Sequence, residues 1–470
     1  MYKDLVILIP GILGSALSKD GAEIWGVSAS AIARGMSSRA GSFDALRLAG
    51  DDPDVDDSGD GIVATRLLPD VQLVPGLWKI DGYGAVRDTL CEKLDLRPGR
   101  NFFDFPYDWR RDVRVAARAL ERKSQVWLRQ WRDWSGNEEA SLVLIAHSMG
   151  GLVARHFVEV LGGWQRTAVL ATFGTPFRGS PKALGALSNG LEASVGGFRV
   201  FDLTEVVRSL TSVHQLLPIY KVYDAGNGQR IRLSETSQIP NLSKDRVASA
   251  MRFHQDVEEA QATNATTPGY LDRYSILPMV GVEQPTDCFA RAGVSGIELL
   301  RRVPKENHKG DGTVPRFSAM PPEWTRERGA TFFADAHACL QNGTAALTHL
   351  CAVLQGAGTD LARLRAGEEA LTPLGLDVAD AHASERPVTI RATSQRYLPY
   401  LDAAVRETDT GVAYGRRLWP DGDGYGGRVD LPSGSYRVTV AAPGARPVTD
   451  IFVVGESGAR PRADAAPETR

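Results

Sequence analysis

Cysteine is scarce and scattered in this chain: Cys91, Cys288, Cys339 and Cys351 form no CxxC pair and no dense framework. That spacing argues against a disulfide scaffold or a zinc finger and reads as reduced thiols, some of them packing residues. Charge of one sign is lacking too, since 54 basic and 57 acidic residues leave a formal net charge of -3. That balance, with no basic run interleaved with aromatics, argues against a nucleic-acid binder working by bulk electrostatics. Long apolar runs are missing as well. The opening "MYKDLVILIPG" is apolar only from Leu5 to Ile9, too short for the hydrophobic region of a secretory leader or for a bilayer span. These absences predict a cytoplasmic chain that meets membranes, if at all, from their surface.

What is present is ordinary globular material, 43% hydrophobic and 24% charged over 470 residues, enough for one large domain and an appendage. "LVILI" (5–9) is a continuous β-branched run closed by Pro10 and Gly11, typical of a strand buried on both faces of a parallel sheet. Similar runs recur as "FFDF" (102–105), "SLVLIA" (141–146), "AVLATF" (168–173), "YSILPMVG" (274–281) and "ATFFA" (330–334). A helical stretch at 113–134 carries Val115, Leu120, Val126, Leu128 and Trp131 at roughly helical spacing. Strands alternating with helices predict an α/β fold with a mostly parallel sheet.

Two long interruptions, about 15–70 and 181–272, read as cap or lid insertions. After the helix predicted at 344–355 the texture changes. The expected organisation is a domain over 1–360, a linker over 361–385, a small antiparallel β-sandwich over 386–456 and a disordered tail over 457–470. Turn signals at "PDGDG", "PSGS" and "APGA" support the sandwich.

The chemistry concentrates at Ala146-His147-Ser148-Met149-Gly150, between the run "SLVLI" and the apolar helix "GLVARHFVEVL". Small residues two before and two after a serine let strand and helix backbones approach closely, as in the nucleophile elbow of an α/β-hydrolase. Ser148 is therefore the candidate nucleophile. His147 points elsewhere from such a turn and reads as a packing or supporting residue. The base and the acid should follow in the order serine, acid, histidine. Asp311, between Gly310 and Gly312, is the candidate acid, and His337, between the last apolar run and the final helix, the candidate base. His308 and Asp335 compete on proximity, but His308 breaks the order and Asp335 lies too near the base to orient it. Backbone N–H groups of Met149 and of Ile12, in the glycine loop "IPGILGS", are the candidate oxyanion donors.

Taken together, "IPGILGS" (9–15), "PYDWR" (106–110), "AHSMGG" (146–151), "FGTPFRGS" (173–180), "GDGTVP" (310–315) and His337 resemble the lecithin:cholesterol acyltransferase-like family of α/β-hydrolases, in its lysosomal phospholipase A2-type branch. The resemblance covers about residues 5–355. It implies a serine nucleophile acting on lipid esters, with Ser148, Asp311 and His337 as triad and Ile12 and Met149 at the oxyanion positions. Two departures stand out. Residues 15–90 lack the cysteines of the relatives' membrane-docking segment, and alanine replaces the first elbow glycine.

Tyr107, Asp108, Trp109 and Arg110 read as a hydrogen-bonded network that braces the site. The acidic loop 51–61 has an EF-hand-like start at Asp54, but its twelfth position is Thr65, so a solvated loop is the better reading. The segment 198–220 lines an acyl tunnel or packs on the core, and His214 and His254 read as ordinary cap residues. The sequence therefore predicts a serine lipid-ester hydrolase or acyltransferase with no metal and no cofactor, its partner being the lipid ester. The alternatives are a general carboxylesterase or triacylglycerol lipase, and an effector gated by a protein bound to the C-terminal β domain.

Overall fold

The computed structural model describes residues 1–26, 44–69, 71–74, 78–195, 198–226, 228–294, 296–301, 309–324, 329–356 and 371–455. At its centre are six strands, β1 (Leu5–Ile9), β2 (Phe102–Asp104), β3 (Leu142–His147), β4 (Thr167–Phe173), β5 (Ser275–Gly281) and β6 (Thr331–Phe333). They form one sheet in the order β6-β5-β4-β3-β1-β2, and every pairing is parallel. The six apolar runs of the sequence are these six strands. β1 and β3 are buried along their whole length, as expected of strands covered on both faces.

Four helices flank the sheet: α1 (Gly84–Leu94), α2 (Val113–Ser135), α3 (Met149–Glu159) and α4 (Thr344–Leu354). Asp112 caps α2 by accepting a bond from the Arg114 N–H, and Gly136 ends it in the left-handed conformation. Leu120, Leu128 and Trp131 are buried, but Val126 is 49% exposed. At about 100° per residue it projects away from the face those three define, so the apolar stripe does not include it. The segment 181–272, expected to form a cap, holds short strands and several helices, the longest running Lys244–Asn264. In its segment 198–220, Leu203, Val206, Val207, Leu210, Val213, Leu216 and Leu217 are buried in the main core, which favours packing over a tunnel lining. Side chains of 198–201 lie outside the description, as do residues 27–43 of the first insertion.

The C-terminal strands are β7 (Thr372–Asp377), β8 (Ala381–Ala383), β9 (Val388–Ser394), β10 (Leu401–Glu407), β11 (Ala413–Asp421), β12 (Gly424–Val429), β13 (Gly434–Ala441), β14 (Ala445–Arg446) and β15 (Val448–Gly455). They form one sheet in the order β8-β15-β13-β10-β11-β12-β9-β7-β14. Its end strand β14 connects β13 to β15 in the chain, so the sheet curls around a core of Leu374, Val388, Ile390, Leu401, Val405, Leu418, Tyr436 and Phe452. Two details differ from expectation. The β layer begins at Thr372, inside the stretch read as linker, because Leu374 and Leu376 alternate into this core and β7 pairs with β9. The edges are also mixed: β7–β14 and β8–β15 are parallel, the rest antiparallel. The remainder of the predicted linker before 371 and the tail predicted over 457–470 lie outside the described residues.

This β layer sits on the α/β domain through ion pairs. Lys79 reaches Asp450 at 2.7 Å and Asp380 at 3.0 Å, and Arg437 clasps Asp81. Val71, Ala338, Cys339, Ile451 and Val453 form an apolar patch beside these pairs.

Candidate active site

Ser148 follows β3 directly and precedes α3, with φ at 52° and ψ at -125°. A serine tolerates that strained conformation only where flanking structure imposes it, and here strand β3 and helix α3 do so. The loop after β1 closes on the serine from the side. A Cβ at Gly11 would lie 2.9 Å from the Ser148 Cβ, so only glycine lets the two backbones come this close. Ile12 is buried on that loop, and Met149 is the first residue of α3, where helix N–H groups have no intrahelical acceptor. Met149 directly follows the serine, and Ile12 directly follows Gly11, whose backbone closes on it.

His337 and Asp311 come to the same carboxyl edge of the sheet, where ligands of α/β folds bind. Asp311 lies 30 positions beyond β5 in the chain, yet it bridges to Gln284, three residues past that strand. His337 follows β6, and its backbone N–H donates to the Asp311 carbonyl at 2.7 Å. The side chains complete a chain of contacts: His337 Nε2 is 2.9 Å from Ser148 Oγ, and His337 Nδ1 is 2.7 Å from Asp311 Oδ2. Asp311 Oδ1 accepts the backbone N–H groups of Thr313 at 2.9 Å and Val314 at 2.7 Å. An ionised carboxylate only accepts, so Nδ1 of His337 carries the proton and Nε2 presents its lone pair to the serine. Gly174, with φ at 57°, leaves room for this pair; a Cβ there would stand 2.7 Å from Asp311 Oδ2 and 3.0 Å from His337 Nδ1. All three residues are at most 4% exposed.

Of the competitors, His308 lies outside the described residues. Asp335 is largely buried, and desolvation lifts its carboxyl to about 6, with Arg446 pulling the other way.

His147 is a supporting residue. Its Nε2 lies 3.1 Å from the His337 carbonyl and its Nδ1 lies 2.9 Å from the Tyr83 hydroxyl. Burial, helped by the neighbouring His337, pushes it down to about 3, so the ring is neutral. A carbonyl only accepts, hence Nε2 carries the hydrogen and Nδ1 accepts from the tyrosine. The Tyr83 oxygen in turn accepts the Gly11 N–H at 2.7 Å. Tyr83 escaped the sequence reading, because nothing marks "DGYGAV" beyond its turn glycines.

The residues of "PYDWR" hold the Gly11 loop and its surroundings. Tyr107 donates to the Pro10 carbonyl at 2.9 Å and Trp109 Nε1 to the Ser15 carbonyl at 3.0 Å. Arg110 is fully buried; it grips Asp108 with Nε and Nη2 and reaches Asp60 at 2.8 Å. The acidic loop 51–61 is therefore not freely solvated. Arg111 reaches Asp51 at 3.0 Å and donates to the carbonyls of Asp52, Val55 and Asp56, while Arg118 and Arg122 pair with Asp56. Arginines at the start of α2 supply the counter-charge that a metal would otherwise provide. His214 and His254 bond to the carbonyls of Leu210 and Gln215 in the cap, and burial lowers each to about 4.

Among the described residues, no cluster of His, Cys, Asp or Glu is arranged to hold a metal, and no helix is long and apolar enough to cross a membrane.

Comparisons with known proteins bear on the same region. The family model described as lecithin:cholesterol acyltransferase matches residues 78–274. A Saccharomyces cerevisiae protein, "Uncharacterized protein YJR098C", is 30% identical over 95 residues, which is 20% of this chain and 14% of that protein's length. Among solved structures, the Bacillus licheniformis lipase BlEst2 in its mature form is 13% identical with a TM-score of 0.29, over 75% of this chain and 92% of that one. Its propeptide form is 10% identical with a TM-score of 0.32, over 96% and 93%. Phospholipase PlaB from Legionella pneumophila is 11% identical with a TM-score of 0.20, over 99% and 97%. The segment 78–274 matched by that family model carries "PYDWR", the Ser148 elbow and "FGTPFRGS".

Proposed function

We propose that the protein is a serine lipid-ester hydrolase, with acyl transfer to an alcohol as a second outcome of the same acyl-enzyme. The observation that carries this reading is the Ser148–His337–Asp311 chain, at 2.9 and 2.7 Å, at the carboxyl edge of a parallel sheet. The family match supports the choice of lipid esters as substrate class.

In this reading His337 Nε2 takes the Ser148 proton as Oγ attacks the ester carbonyl. The Asp311 carboxylate holds the imidazole in the required tautomer and stabilises the imidazolium that forms. The N–H groups of Met149 and Ile12 receive the developing oxyanion. His337 then protonates the departing alcohol, and water or a second alcohol, deprotonated by the same imidazole, releases the acyl group. His147 stays neutral beside the imidazolium, 5.1 Å away between ring centroids, so it adds no opposing charge. Ser148 and His337 are each 4% exposed, and in this reading a movement of the segment 181–272 opens the serine to lipid. We place this activity in the cytoplasm, at membrane surfaces that the cap meets as it opens; the four free cysteines suit a reducing compartment.

A fluorophosphonate probe tests the chemistry. It should label the wild type and fail on Ser148→Ala; equal labelling of both would end the reading. Fatty acid release from defined phospholipids against triacylglycerols and short-chain esters then separates a phospholipase from a general lipase or carboxylesterase.

A further inference from the structure

Gln284 sits where three parts of the chain converge, and it is 2% exposed. Its backbone N–H donates to the Gly310 carbonyl at 3.0 Å, and it bridges to Asp311, the acid. Its side-chain Nε2 donates to the Ala334 carbonyl at 3.0 Å, three residues before His337, and to the Leu374 carbonyl of β7 at 3.3 Å, with the Val282 carbonyl also at 3.3 Å. Its Oε1 accepts the Leu376 N–H of β7 at 2.9 Å. The amide orientation is forced, since an N–H faces one end and carbonyls the other. Thr286 finishes the cradle: its Oγ1 accepts from the N–H groups of Gly310 and Gly312 and donates to the Gln284 carbonyl.

A second contact reaches the same loops from the far side of His337. Asp81 accepts from Arg437 of β13 and from the Asn342 side chain, and its backbone N–H donates to the Ala338 carbonyl at 3.0 Å. Ala338 and Cys339 lie against Ile451 and Val453 of β15. The segment 334–342, which holds the imidazole, is thus bonded to the β layer or its anchor at both ends.

We propose that the C-terminal β layer is a working part of the active site, and that Gln284 is the positioning residue through which strand β7 keeps the Asp311 and His337 loops in register. The inference rests on the Ser148–His337–Asp311 reading and goes beyond it. A carboxylate and an imidazole must keep a hydrogen bond at fixed geometry while charge develops, and a displacement of about 1 Å costs on the order of a hundredfold in rate. Neither loop belongs to a long element of its own. The tie to β7 supplies the rigidity they lack.

The test uses the full chain. Gln284→Met keeps the side-chain length and removes every side-chain hydrogen bond; Gln284→Glu keeps the acceptor for Leu376 and removes the donation to Ala334. Val405→Ala, in the β-layer core away from both loops, is the control for simple destabilisation. We expect both Gln284 variants to lose about 10- to 100-fold in kcat and in the rate of fluorophosphonate labelling, with KM within about twofold. The acid limb of their kcat/KM profile should shift, because the imidazole loses its fixed partner. Val405→Ala should lower the unfolding temperature and leave the profile where it is in the wild type. If Gln284→Met does not fold, Gln284→Glu is read alone. Wild-type kcat and pH profile in a folded Gln284 variant, or losses that match the unfolded fraction as in Val405→Ala, would overturn the proposal. Failure of Ser148 labelling in the wild type would instead remove the reading on which it rests.

Discussion

Tyr83 and His147, 64 positions apart in the chain, are joined by a 2.9 Å hydrogen bond, and each also holds a loop of the candidate site. On one side the tyrosine oxygen takes the Gly11 N–H; on the other the His147 Nε2 holds the His337 carbonyl. The loop proposed to bind the oxyanion and the loop that carries the base are therefore coupled through one phenol and one neutral imidazole.

Removing that phenol should disturb both ends. Tyr83→Phe leaves the buried Gly11 N–H and His147 Nδ1 without this partner, at about 1–3 kcal/mol for each unsatisfied group. Denaturant unfolding should show a loss of about 2–6 kcal/mol for the two groups together, and ester turnover should fall about tenfold. Unchanged stability and turnover would show that the coupling is idle.

Asp311→Asn tests the tautomer. An amide NH2 turned toward Nδ1 forces the imidazole proton onto Nε2, where it can no longer accept from Ser148. The expected result is a loss of about 10⁴ in kcat with little change in KM, and a wild-type unfolding midpoint. Steady-state kinetics on a soluble ester would register it.

Gly174→Ala strikes the same pair through space. Its Cβ would meet Asp311 Oδ2 at 2.7 Å at a backbone φ of 57°. The backbone strain alone costs about 1–2 kcal/mol. Because the nearest atoms belong to the proposed acid and base, activity should fall far more than stability, on the order of a hundredfold. Comparing kcat with the unfolding free energy of the same preparation separates the two.

Acid should weaken the fold through its buried neutral histidines. Burial depresses His147 and His156 to about 3 and His214 and His254 to about 4. Between about pH 6.5 and those values the unfolded chain binds protons that the folded chain refuses. Stability is thus retained above pH 6.5 and lost as pH falls, by at most about 1.4 kcal/mol per pH unit for each group. His156 stacks on Phe253 at 5.7 Å, and its Nδ1 has no hydrogen-bond partner among the described residues. His156→Phe should therefore flatten the slope of unfolding free energy between pH 6.5 and 5 by about one group's share. An unchanged slope would mean that His156 titrates alike in both states.

The six strands of the parallel sheet, the elbow at Ser148 and the helix read at 113–134 were legible without coordinates, since each follows from neighbours in the chain. A β-branched run buries itself on both faces, small residues around a serine permit a tight turn, and apolar residues at helical spacing mark the helix. Motifs and chain order nominated Ser148, Asp311 and His337 as candidates, but their 2.9 and 2.7 Å contacts are given by the structure alone. The order of residues does not announce long-range hydrogen bonds. Tyr83 finds His147, Gln284 finds Leu374 and Leu376, and Arg111 wraps the acidic loop only once the sheet has brought distant segments together. The start of the β layer at Thr372 was hidden for a similar reason: a six-residue strand owes its existence to pairing with β9 and to the core it helps to fill, not to its own propensity. Local chemistry determined which residues could work; tertiary packing decided which backbone groups hold them, because hydrogen-bond partners are selected by proximity in space.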